Sequence, residues 1–157
     1  MDFKEIIHIL QTERKTIATM ESCTGGGVAN AITNCEGASE VLKFSAVTYS
    51  NEYKIKMGVS SEVIDKFTVY SMETADEMSK NITKFAKSDY GVGITGQLNR
   101  QDPANPVGKD NVVYVSIYDS KNNKYYRDTM EVHKESRKLN KEHVIERIIE
   151  MLLEILK

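Results

Sequence analysis

Apolar residues recur along the chain with two different periods, and the changes of period mark out its elements. Phe3, Ile6, Ile7 and Leu10 share one helical face, with Asp2 placed to cap it. Residues 16–20 read as a short strand, and a glycine run follows. A helix then extends to about Thr33, closed by a turn at Asn34-Cys35-Glu36-Gly37. Residues 44–49 are rich in β-formers and predict a strand that ends at Ser50-Asn51. Short helices are predicted over 53–57 and 61–67. Ser71 is a good N-cap with Glu73 in the first turn, and Ala75, Met78, Ile82 and Phe85 line one face of the helix that follows. Residues 91–95 form a compact apolar strand. Residues 97–110 are polar, hold both prolines and predict a loop. Strands over 112–118 and 125–132, with a turn between them, predict a hairpin. From about Asn140, a last helix carries Val144, Ile145, Ile148, Ile149, Leu152 and Leu156 on one stripe.

Helices and strands alternate through the first two thirds, and a hairpin follows. That order predicts an α/β fold, a three-layer α/β/α sandwich around a mixed, mainly parallel sheet. No repeat or linker divides it, and 157 residues suit one domain, 1–157, able to bury a core without disulfides. The net charge of -2 and the lack of a dense Lys/Arg block argue against nucleic acid or an anionic membrane as partner. No apolar run reaches the roughly 18–20 residues that span a bilayer. The opening Met-Asp-Phe-Lys-Glu lacks a signal-peptide layout. Cys23 and Cys35 have no metal or disulfide spacing, so they read as reduced thiols of a cytoplasmic protein. His8, His133 and His143 are scattered, and neither a metal nor a cofactor is expected.

The chemistry concentrates in Met20-Glu21-Ser22-Cys23-Thr24-Gly25-Gly26-Gly27, between a strand and a helix. Glycines there let a ligand approach the backbone, and ligands in open α/β sheets sit beyond the carboxyl ends of strands. The run is not a P-loop, a GxGxxG, a nucleophile elbow or an SxxK. Read from residue types alone, Ser22 or Thr24 caps the helix, or the run is a site. A second segment, Val47-Thr48-Tyr49-Ser50-Asn51-Glu52-Tyr53-Lys54, lies at the end of the next strand.

Together these two segments resemble the CinA C-terminal domain family, the nicotinamide mononucleotide deamidases. Its pattern is an ESCTGG run, VTYSNxxK, a GxxS helix start, an ITGxAGPxG loop and PVGTV at a strand. The first two blocks match almost residue for residue. Thr68-Val69-Tyr70-Ser71 matches the third with Thr in place of Gly, and Ile94-Thr95-Gly96 opens the fourth. Pro106-Val107-Gly108 begins the fifth. The resemblance runs from about residue 5 to 155 and implies a CinA C-terminal domain-like sandwich. It also implies hydrolysis of the nucleotide's carboxamide to the acid and ammonia, in the pyridine nucleotide cycle.

Such acyl transfer needs a nucleophile, an oxyanion site and a proton donor for the leaving amine. The resemblance casts Ser22 as nucleophile and Lys54 as base, once burial or a neighbouring cation lowers its pKa. Tyr49 would relay or supply a proton, given a cationic neighbour. The main-chain N–H groups of Thr24, Gly25 and Gly26 would hold an oxyanion or a phosphate. Glu21 and Asn51 would orient, and Ser71, Thr95 and Gly96 would contact substrate or serve as caps. Cys23 is either a rival nucleophile or, as is commoner for a lone thiol, a packing residue. The match breaks after Gly96, where three small positions become bulkier polar ones within residues 97–105. Arg100 or Lys109 would then contact phosphate. Before the last helix the family's GDRxxxR-like run keeps only Arg137. The altered loop admits a second reading, a nucleotide-binding module of the same fold without turnover. Family members often form dimers, so a homo-oligomer is expected, with the last helix as interface or simply as core.

Overall fold

The computed structural model describes residues 1–99, 102–106 and 108–157. Its elements are α1 (Lys4–Glu13), β1 (Ile17–Glu21), α2 (Gly27–Thr33), α3 (Ala38–Val41), β2 (Leu42–Val47), α4 (Asn51–Lys56), α5 (Ser61–Phe67), α6 (Met72–Ala86), β3 (Tyr90–Gly96), β4 (Val112–Asp119), β5 (Lys124–Glu131) and α7 (Arg137–Leu156). The strands form one sheet in the order β2-β1-β3-β4-β5. β1 pairs parallel with both β2 and β3, while β3–β4 and β4–β5 are antiparallel. Four strands therefore point one way and β4 points back.

Serine chemistry sets where several helices start. Ser50, Ser60, Ser71 and Ser136 are extended N-caps whose hydroxyls accept from the main chain of Tyr53, Val63, Thr74 and Leu139. Each fills one of the N–H groups that a first helical turn leaves without a partner. The cap at Ser136 explains why α7 begins at Arg137, three residues before the sequence-based start. The single turn of α3 escapes a periodicity argument because four residues are too few to show a face.

Both faces of the sheet are covered. On one, Ile17, Val92, Ile94, Val113, Val115 and Ile117 pack with the apolar sides of α1, α2 and α7. On the other, Ala18 and Met20 meet Met78 and Ile82 of α6, together with Val59. β1 and β3, the strands covered by helices on both faces, are buried along their whole length. α6 lies close because Gly91 and Gly93 face it. A Cβ on Gly93 would stand 2.5 Å from the Ala75 carbonyl and 2.6 Å from the Ser79 nitrogen. The stripe of α7 is spent on the core, with Val144, Ile148, Ile149 and Leu152 buried. Phe85 departs from its expected place: it is exposed and stacks, tilted, on Phe44 at 5.2 Å. Among the described residues, no helix is long and apolar enough to cross a membrane.

This topology positions the site. After β1 the chain crosses one face through α2 and α3 to reach β2. After β2 it crosses the other face through α4, α5 and α6 to reach β3. The carboxyl end of β1 is thus the point where the connections part, the usual place for a ligand crevice in an open α/β sheet.

Candidate active site

β1 ends in Glu21, which is fully buried. Its carboxylate accepts from Thr24 Oγ1 at 2.7 Å and from the N–H groups of Val28 at 2.9 Å and Ala29 at 3.0 Å. The first turn of α2 is therefore capped by the chain's own anion. The Glu21 carboxylate and the Thr24 hydroxyl thus hold the turn together, while the Thr24 N–H, the group expected to meet an anion, takes no part in these bonds. The turn closes through Gly25 and Gly26 at φ 60° and 94°, the left-handed region that glycine enters without strain.

Ser22 follows, buried at the strand end, its N–H donating to the Ile94 carbonyl at 3.0 Å. The Gly25 N–H donates to the Ser22 carbonyl, which removes it from the expected anion-binding set. The N–H groups of Cys23, Thr24 and Gly26 have no hydrogen bond to any described residue.

β2 delivers the second half. The Thr48 N–H extends the ladder to the Glu21 carbonyl at 2.8 Å, the Ser50 cap turns the chain, and α4 points Lys54 inward. Lys54 is only 2% exposed. Its Nζ donates to Ser22 Oγ at 3.1 Å and to the Thr48 carbonyl at 2.7 Å. Burial lowers its pKa to about 8, with Cys23 and Asp102 pushing weakly the other way. A buried amine that is partly neutral near physiological pH and touches a hydroxyl can take that hydroxyl's proton. Burial pushes the neighbouring Cys23 thiol up to about 12, so it stays protonated and unreactive.

A cavity of about 410 Å³ opens over Ser22. Among the described residues, Tyr49, Gly96 and Arg137, three of the expected site residues, line it, and Cys23 forms part of its wall. Tyr49 is largely exposed, and its hydroxyl accepts from Arg137 Nη2 at 3.2 Å. Arg137 is thus a cationic neighbour of the phenol, and it also donates to the Leu98 carbonyl. Since Lys54 touches Ser22 directly, no relay through Tyr49 is needed between them. Asn51 exchanges hydrogen bonds with Asn105, tying α4 to the loop after β3. Ser71 caps α6, and the fully buried Thr95 donates to the Val69 carbonyl at 3.0 Å; neither lines the cavity. Arg100 lies outside the described residues.

Five residues of the cavity wall, Tyr70, Gln97, Leu98, Asp102 and Pro103, were not among the expected site residues, and two of them form a pair. Tyr70 donates to Asp102 Oδ2 at 2.7 Å, and both face the space over Ser22. Tyr70 sits in the Thr68–Ser71 block, whose local sequence signal is the Ser71 helix cap. Asp102 lies in the segment where the family pattern breaks, and only folding brings it to Tyr70.

The fold is an α/β domain, and the Ser22–Lys54 pair sits at the carboxyl end of its crossover strand. The CinA C-terminal domain model matches residues 3–156, and the chain belongs to that family. A CinA-like protein of Kosmotoga olearia is 42% identical over 116 residues, 72% of this chain. A putative competence-damage inducible protein of Caldanaerobacter subterraneus is 45% identical over 115 residues, 71% of this chain. The chain spans 27% of the length of these curated relatives. A crystal structure of a competence/damage inducible protein from Agrobacterium tumefaciens superposes with a TM-score of 0.87 at 26% identity, covering 98% of this chain and 92% of that one.

Proposed function

We propose that this chain is an amidohydrolase that deamidates nicotinamide mononucleotide to nicotinate mononucleotide and ammonia. The observation that carries the reading is the buried 3.1 Å contact between Lys54 Nζ and Ser22 Oγ at the floor of the cavity. Membership of the CinA family supports the amide substrate.

Neutral Lys54 takes the Ser22 proton as Oγ bonds to the carboxamide carbon. The oxygen of the tetrahedral intermediate meets the partnerless N–H groups of the Cys23–Gly26 turn. As the C–N bond breaks, the Lys54 ammonium returns its proton to the leaving nitrogen, and ammonia departs. Water then attacks the acyl-serine with Lys54 again as base, releasing the acid and restoring Ser22. Arg137 offers its remaining N–H groups to the nucleotide phosphate.

The test is ammonia release from nicotinamide mononucleotide. Ser22→Ala and Lys54→Ala should each lower kcat by about a thousandfold or more, and the double variant should be hardly worse, because the two act as one unit. Wild-type kcat should rise with pH through about 8 as Lys54 loses its proton. A Ser22→Ala protein that turns over at the wild-type rate would overturn the reading. Asp102 and Pro103, in the segment that departs from the family's glycine-rich loop, favour a second reading: binding of the nucleotide without turnover. Folded wild type that binds but releases no ammonia would select it.

A further inference from the structure

Asp102 is a carboxylate in a cavity that the proposed reaction fills with a zwitterion, and no catalytic step uses it. Its acceptor sites are mostly taken. Oδ2 accepts from Tyr70 Oη at 2.7 Å and Asn105 Nδ2 at 3.1 Å, and Oδ1 accepts from the Ala104 N–H at 2.9 Å. The Asp102 N–H donates to Gln97 Oε1 at 2.9 Å, which holds the residue in place from its main chain. A carboxylate has about four lone-pair sites, so three protein donors leave about one. Yet these donors are neutral, and no cation among the described residues forms an ion pair with Asp102. The group therefore presents charge more than it presents hydrogen-bonding capacity.

The surroundings fit a flat cation. Tyr49 and Tyr70 line the same cavity and bring aromatic rings, whose faces attract positive charge. Arg137 lines it too and supplies a positive pole for an anionic group. Hydrogen bonding from Tyr70 holds the Asp102 carboxyl below its ordinary range, so it is ionised at neutral pH. Burial and Asp102 push the Tyr70 phenol upward, so it remains a donor.

We infer that Asp102 is a specificity-determining residue: its carboxylate makes the cavity select an amide carried on a positively charged aromatic ring over the same amide on a neutral ring. The inference rests on the deamidase reading, because it concerns the ring that bears the carboxamide. In nicotinamide mononucleotide that ring is a quaternary pyridinium. In the reduced nucleotide it is neutral, with the same carboxamide, ribose and phosphate.

The experiment measures binding of both nucleotides by calorimetry to the Ser22→Ala protein, which cannot consume them. The oxidised form should bind about tenfold or more tightly than the reduced form. Adding Asp102→Asn, similar in shape and still able to accept from Tyr70, should cut that preference to within about threefold, and Asp102→Glu should retain most of it. If Asp102→Asn does not fold, Asp102→Ser serves the same comparison. An unchanged preference in the Asn or Ser variant, or none in Ser22→Ala itself, overturns the inference while wild-type ammonia release keeps the deamidase reading standing. Wild type that neither releases ammonia nor binds either nucleotide takes down the deamidase reading first, and this inference with it.

Discussion

Thr68 stands at φ 70°, ψ 168°, a region that β-branched residues avoid. Its neighbours hold it there. The Thr68 carbonyl accepts from Ser71 Oγ at 2.9 Å and from Thr74 Oγ1 at 2.8 Å, so the backbone is set by the start of α6. The side chain itself makes only long contacts with Tyr70, at 3.3 and 3.4 Å. Thr68→Gly should therefore stabilise the fold by about 1 kcal/mol, raising Tm by roughly 2–4 °C in a scanning melt. An unchanged or lower Tm would mean that Thr68 is relaxed. The glycine of the resembled GxxS block falls at this position, so the strain was legible in the sequence as a mismatch. Ser22 and Lys54 were singled out by agreement rather than mismatch: Ser22 is the second residue of one matched block and Lys54 the last of the other. The partnership of Tyr70 with Asp102 was not legible, since 32 residues separate them and one member lies where the pattern breaks.

The contact between α6 and β3 shows what an element can dictate. With side chains in place of Gly91 and Gly93 the helix would ride higher, and the loops at the carboxyl end of the sheet would shift with it. Gly93→Ala forces a methyl into the main chain of α6, which cannot yield as a flexible side chain would. It should cost about 1–3 kcal/mol, read as a lower urea midpoint at unchanged slope. Element types were readable from periodicity, and the Ser71 cap and residues 61–67 of α5 fell where they were expected. Boundaries were less so. α7 starts at its serine cap rather than at its apolar stripe. Phe85 keeps the spacing of the buried face of α6, yet it lies exposed against Phe44 of the edge strand β2. Periodicity states which side of a helix is apolar, not how far the sheet beneath it extends.

At the scale of the whole molecule, the buried Lys54 links the site to global stability. In the unfolded chain it titrates near 10.5, and in the folded protein at about 8. Between those values the unfolded state binds more protons, so stability should rise with pH across the window and be flat on account of this group below it. The full effect is about 3 kcal/mol. Urea midpoints at pH 7 and 10 should show wild type gaining relative to Lys54→Met, whose difference from wild type would otherwise stay constant. The alternation of elements made the layered α/β class legible from the sequence. Strand order was not, because it depends on which face each connection crosses. The two ends of the chain meet on the α1–α7 side, where Lys157 Nζ lies 2.7 Å from Glu5 Oε1. In chain topology the domain is thus nearly a ring: a short linker could join its ends and a new start be cut at the exposed 120–123 turn, which would put Arg137 ahead of Ser22 and Lys54 along the chain while leaving their places in the fold unchanged.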